Sequence, residues 1–115
     1  MSVTAYRDIP AEQVEEGASG VRIRWLITEK TGAHFVMRHF EIAPGGYTPK
    51  HEHKWEHEVF ILSGRGVVFE GDAEQPFQAG DVIFIPLGER HQFRNTGAEP
   101  MTMLCLIPSR ERCAL

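Results

Sequence analysis

Residues 45–64 read GGYTPKHEHKWEHEVFILSG, and residues 80–95 read GDVIFIPLGERHQFRN. Four of the six histidines fall inside these two glycine-bracketed segments: His51, His53 and His57 in the first, His91 in the second. Neutral imidazole is the commonest side-chain ligand for divalent transition metals, so the two segments form a candidate metal site. In a strand, residues two apart face the same way. His51 and His53 then reach one ion together while Glu52 points away, and His57 shares their parity. His91 joins them only if a separate strand lies alongside, which a small barrel supplies.

The flanking sequence predicts such strands. Seven prolines and eleven glycines punctuate short apolar runs at close intervals, a pattern of all-β structure with tight turns. Strands are expected over Val21–Thr28, over Ala33–Ala43 (ended by Pro44-Gly45-Gly46), and over Glu58–Leu62, Gly66–Glu70, Asp81–Ile85, His91–Asn95 and Met101–Ile107. Gln75–Gln78 carries Pro76 and reads as an edge strand. Only Pro10–Glu16 is expected to hold a turn of helix. So many short strands must stack as two sheets or close into a barrel, because open edges invite aggregation. Alternation alone does not choose between the two.

The length of 115 residues fits one domain over 1–115. The net charge is -4 with lysine and arginine scattered, which argues against nucleic acid and anionic lipid as partners. The segment MSVTAYRDIPAEQ lacks a positive stretch followed by an apolar run, and no apolar stretch approaches membrane-spanning length. Cys105 and Cys113 read best as free thiols in a reducing cytosol, so the expected location is cytoplasmic.

The two histidine segments resemble the cupin family. Gly45, His51, His53, position 57 and Gly64 fall on the spacing of the first cupin motif, and Gly80, Pro86, Gly88, His91 and Asn95 on that of the second. The resemblance implies a small β-barrel, the jelly-roll-like double-stranded β-helix, with a divalent metal inside. One departure is that His57 stands where the family usually has a glutamate ligand. The chain is thereby similar to the four-histidine, manganese-binding subgroup of small single-domain cupins. That likeness implies the ligand set His51, His53, His57 and His91, a homodimer, and one redox-active metal per chain. Manganese is favoured, with Fe, Cu, Ni, Co or Zn also compatible with nitrogen donors.

Four neutral ligands leave an ion its full charge, and on a six-coordinate ion they leave two positions open. Alternation places Phe93 with His91, and Met103 with Cys105, as candidate walls of an apolar pocket; Trp55, between His53 and His57, is a candidate for its rim, or else a core residue or dimer contact. Arg38 sits in an apolar strand, where a cation is costly to bury without an anion. It binds a substrate carboxylate, pairs with an acid such as Glu41, or simply lies exposed at the surface. Glu58 is a candidate general base or hydrogen-bond acceptor for imidazole. His34 and His39 lie outside both motifs and are read as structural or exposed. Fold does not fix reaction. The leading expectation is a metal-dependent oxygenase cleaving a C=C or C–C bond of a small substrate. The alternatives are non-redox isomerase or lyase chemistry with Glu58 as base, or a non-enzymatic small-ligand binder.

Overall fold

Met101, Met103, Cys105 and Ile107 are buried, while Thr102, Leu104 and Leu106 between them are half-buried. This period of two makes Met101–Pro108 a strand and marks its inner side. The computed structural model describes residues 1–109. It contains nine strands: β1 (Glu12–Val14), β2 (Ser19–Ile27), β3 (Phe35–Tyr47), β4 (His57–Ser63), β5 (Arg65–Glu70), β6 (Ala73–Gln78), β7 (Val82–Ile85), β8 (His91–Asn95) and β9 (Met101–Pro108). There is no α-helix among the described residues; Tyr6–Asp8 and Glu29–Thr31 form single 3-10 turns.

Hydrogen-bonded neighbours run β6-β5-β8-β3-β9-β4-β7, with β2 alongside β3 and β1 alongside β2. All pairings between these strands are antiparallel. The ladder between β3 and β8 pairs Tyr47 with Arg94, and the sheet as a whole is curled into a small, partly closed barrel. The apolar core lies inside, with Val21 and Ile23 of β2, Ile42 of β3, Ile61 of β4, Phe77 of β6 and Phe93 of β8 among its members. Burying each such side chain contributes roughly 1.5–3 kcal/mol.

Two expectations are corrected. Pro10–Glu16 holds strand β1 rather than a helical turn, with Glu12, Gln13 and Val14 opposite Ile23, Arg22 and Val21. The unpaired edge of β2 offers a full row of backbone partners, and extended pairing satisfies them where one isolated turn would not. β3 does not stop at Pro44-Gly45-Gly46 but runs on to Tyr47. Gly45 takes φ +76, which bends the strand, and a Cβ on Gly46 would lie 2.6 Å from the Ser19 carbonyl oxygen. The glycines let β3 turn the corner while still pressed against β2. Cys105 is a free, buried thiol; Cys113, its only possible partner in this chain, lies outside the described residues.

The segment before β1 folds back over the outer side of β2 and β3. The Tyr6 ring lies 4.9 Å from that of His39, Arg24 sits 5.4 Å over Tyr6, and Arg24 Nε donates to the Ile9 carbonyl at 2.9 Å. His39 is buried and its Nδ1 has no hydrogen-bond partner. Burial, then the Arg24 charge, lowers its pKa below the ordinary 6.5, against a smaller opposing pull from Glu41. As pH falls through 6.5, the unfolded chain therefore takes up this proton before the folded one, and the stability present at higher pH is lost. Replacing His39 with Phe should make the loss of unfolding free energy between about pH 7.5 and 5 smaller than in the wild type, as read by urea melts at both pH values.

Candidate metal centre

The two histidine segments are tied together by backbone before any side chain is considered. His51 and His91 exchange N–H···O=C bonds of 3.0 and 2.7 Å, and the Gly88 N–H donates to the His53 carbonyl at 2.6 Å. Gly88 adopts φ +78, which suits a residue without Cβ, and the Pro86–Gly88 turn thereby grips the His53 loop. Further along β8, Thr48 accepts from the Phe93 N–H through its hydroxyl and from Gln92 Nε2 through its carbonyl, both at 2.9 Å. Asn95 donates to the carbonyls of Ile42 and Glu99 and accepts from the Gly97 N–H, so its work is structural.

One run of alternating residues does not carry the three upstream histidines. Only His51 makes a strand-like pair, Glu52 to Glu56 form a loop, and β4 begins at His57. The loop nonetheless returns His53 to His57. Ligand atoms of His53, His57 and His91 all lie within 4.8 Å of one another, and the His57 and His91 rings are 4.5 Å apart. His51 is exposed and lies outside that set, with its ring 5.0 Å from His53. Trp55 stacks on His53 at 4.7 Å with the planes 5° apart and packs against the core. It backs His53 rather than lining the open side.

The proton positions favour an ion at this place. His91 Nδ1 lies 3.1 Å from the Glu89 carbonyl oxygen, to which it donates, leaving Nε2 as the free lone pair. His57 Nε2 is buried with no hydrogen-bond partner. Burial first, then neighbouring His91 and Arg38, pushes the His57 pKa down to about 3, so this imidazole is neutral and its lone pair available. Burial also lowers His91. A ligating Nε2 requires the His57 proton on Nδ1, and the Cys105 sulfur is 3.4 Å away to accept it. Arg38 Nη2, 3.3 Å from the same Nδ1, then gives its hydrogen to the Cys105 sulfur at 2.9 Å. Without an ion, Nδ1 can accept from Arg38, but the proton on Nε2 is left buried and unbonded. The residues present therefore fit a divalent transition metal held by His53, His57 and His91, with His51 alongside.

These groups open onto a cavity of about 350 Å³ whose walls include Val14, Ile23, Trp25, Phe40, Phe93 and Met103, together with Arg38 and Cys105. Phe93, Met103, Cys105 and Arg38 thus line one space with all four motif histidines. Glu58 does not. It follows His57 on β4, so it projects to the opposite, outer side, into a groove with Phe35, Glu56 and Leu106. The expectation of Glu58 as base or imidazole partner is corrected by this alternation. Trp25 and Phe40 were not anticipated as walls. The signal was available for Phe40, which shares the parity of Arg38, whereas Trp25 reaches the cavity through its pairing with Arg38 across the sheet.

A barrel of short strands carrying a cluster of histidines, two of them buried, at the mouth of an apolar cavity could hold a metal ion. The Cupin domain family model matches residues 38–107, and the chain belongs to the cupin family. It is 34% identical over 95 residues to 1-methylthio-D-xylulose 5-phosphate methylsulfurylase of Rhodospirillum rubrum, covering 81% of this chain and 61% of that protein. The chain thus spans less than two thirds of that curated relative's length. Among solved structures, the polyketide cyclase RemF from Streptomyces resistomycificus superposes with a TM-score of 0.86 at 37% identity, over 94% of this chain and 79% of that one. A predicted oxalate decarboxylase from Thermotoga maritima superposes with a TM-score of 0.85 at 28% identity, over 94% of this chain and 99% of that one.

Substituting His53, His57 or His91 with Ala should weaken divalent metal binding by more than about 100-fold, whereas Cys105→Ala, which leaves these three imidazoles in place and removes the acceptor shared by His57 and Arg38, should cost about tenfold. Competition for zinc against a chromophoric chelator measures both, and Cys105→Ser should recover most of the second loss.

Proposed function

We propose that this chain is a metal-dependent oxygenase that cleaves a C=C or C–C bond of a small enolisable or unsaturated substrate. Manganese is the ion we favour, with His51 completing a four-histidine set. The observation that carries this reading is the buried, partnerless Nε2 of His57 beside the apolar cavity. A bound divalent redox metal would supply polarisation of the substrate oxygen and access to dioxygen chemistry. The chain itself would hold the neutral form of His57 through Cys105, fix His53 against Trp55, and keep bulk water from the substrate with Trp25, Phe40 and Met103. Oxygen consumption by the manganese- or iron-loaded protein, followed with an electrode across enolisable diketones and aryl alkenes, should appear with at least one substrate class and vanish with zinc.

The likeness to a polyketide cyclase favours a second reading, in which the ion acts only as a Lewis acid. On that reading Glu58 cannot be the base, since it faces outward, and Glu12 is the carboxylate that lines the cavity. Turnover by the zinc form without oxygen would select it.

We also propose a homodimer. The edge of β2 is capped over Val21–Ile23 by β1, so pairing of that edge with a second copy is not available. The apolar outer side of β4 and β7 replaces it, with Phe60, Val82 and Phe84 exposed together and Phe60 opposite Val82. Sedimentation at low micromolar concentration should give twice the chain mass for the wild type and a single chain for Phe84→Glu.

A further inference from the structure

Arg38 is a cation with no carboxylate in contact with it among the described residues. Glu41, its candidate partner by sequence, projects from the other side of β3 and pairs with Arg22 at 3.7 Å. Among the described residues, Arg38 makes no ion pair. Its hydrogen bonds all come from Nη2, to His57 Nδ1 and the Cys105 sulfur. Its Nε is buried without a partner, and Nη1 makes no hydrogen bond. The guanidinium lies 5.1 Å from the Phe40 ring centre and 5.7 Å from that of Trp25. Rings and sulfur hold the group without neutralising it. A half-buried cation with its Nε buried and unbonded carries a desolvation cost, and an anion delivered to it recovers part of that cost.

We propose that Arg38 is the anion anchor of the cavity and that the ligand is a small organic monoanion, a carboxylate borne on an apolar body. The inference rests on the reading of this cavity as a substrate site and adds the class of molecule it takes. The carboxylate meets the unspent Nη1 edge of the guanidinium. Its apolar body packs against Trp25, Phe40 and Met103, which share the lining with Arg38. The other formally charged residue of the lining, Glu12, is exposed on β1. It disfavours a second negative charge, which restricts the ligand to one. Nη2 is pinned by Cys105, so the free edge is presented in a fixed direction.

The test compares benzoate with its neutral isostere benzamide, by calorimetry, on zinc-loaded and on metal-stripped protein. Equilibrium binding needs no turnover, so the anchor and the oxygenase reading fail separately. Benzoate should bind at least about tenfold more tightly than benzamide in both forms, the preference expected of one charge-assisted contact. Arg38→Gln should abolish the preference, and Arg38→Lys should keep part of it. Three results would overturn the proposal: a preference seen only with zinc, which would make the ion the anchor; a preference that survives in Arg38→Gln; or no benzoate binding to either form. The wild-type contrast between the metal-stripped and zinc forms decides the matter even if Arg38→Gln does not fold.

Discussion

The backbone exchange between His51 and His91, with the Gly88 N–H on the His53 carbonyl, is the constraint on which this molecule's chemistry depends. These three bonds join segments separated by some forty positions of sequence, and they do so through main chain, which admits little play. Side chains hung on such a frame have their approach fixed before any ligand arrives. The flanking bonds of Thr48 to Phe93 and Gln92 extend the same seam into the barrel. Preorganisation of this kind matters because a metal bound by flexible ligands must first repay their ordering.

The seam also explains the electrostatics. It brings the His57 and His91 imidazoles close together and away from water, which disfavours protonating them. Burial and mutual repulsion act in the same direction on His57 and His91. The folded state therefore keeps lone pairs where protons would otherwise sit. The cost is an unsatisfied Nε2 on His57, a buried polar atom of the kind native structures rarely tolerate without a functional reason. Local strain in hydrogen bonding and readiness for a cation are two descriptions of the same arrangement.

Much of this was legible from residue types and spacing. Alternation located most of the strands, and Gly64, Gly80 and Gly88, all at positive φ, stand where the turns are. The motif histidines line one cavity, as do Phe93, Met103 and Cys105, whose shared parities survive folding. What spacing did not carry was the path between His51 and His57. Parity assumes a continuous strand, and a loop replaces it, so His53 and His57 converge for a reason other than the one inferred. Glu58 was misplaced because parity was not applied to it: a neighbour of an inward residue on a strand faces out. The role of β1 was hidden because three residues have too little pattern to announce a strand, and its pairing is set by the open edge of β2. The contact between Arg38 and Cys105 spans 67 positions, which no local reading recovers.

That contact shows how the cavity keeps its charge. A carboxylate at position 105 would serve Arg38 as a counterion and His57 as an acceptor, and it is the group most often found in both roles. It would also cancel the charge of Arg38. Cys105 accepts both hydrogen bonds while burial, outweighing Arg38, drives its own ionisation upward and keeps the thiol neutral. The thiol therefore orients the arginine and the imidazole without neutralising either Arg38 or a cation held by the histidines. His57 in place of a glutamate ligand acts in the same sense, since it contributes a donor atom and no charge. Two positions that could each have carried an acid carry a neutral group, and the result is an Arg38 guanidinium with no anion in contact.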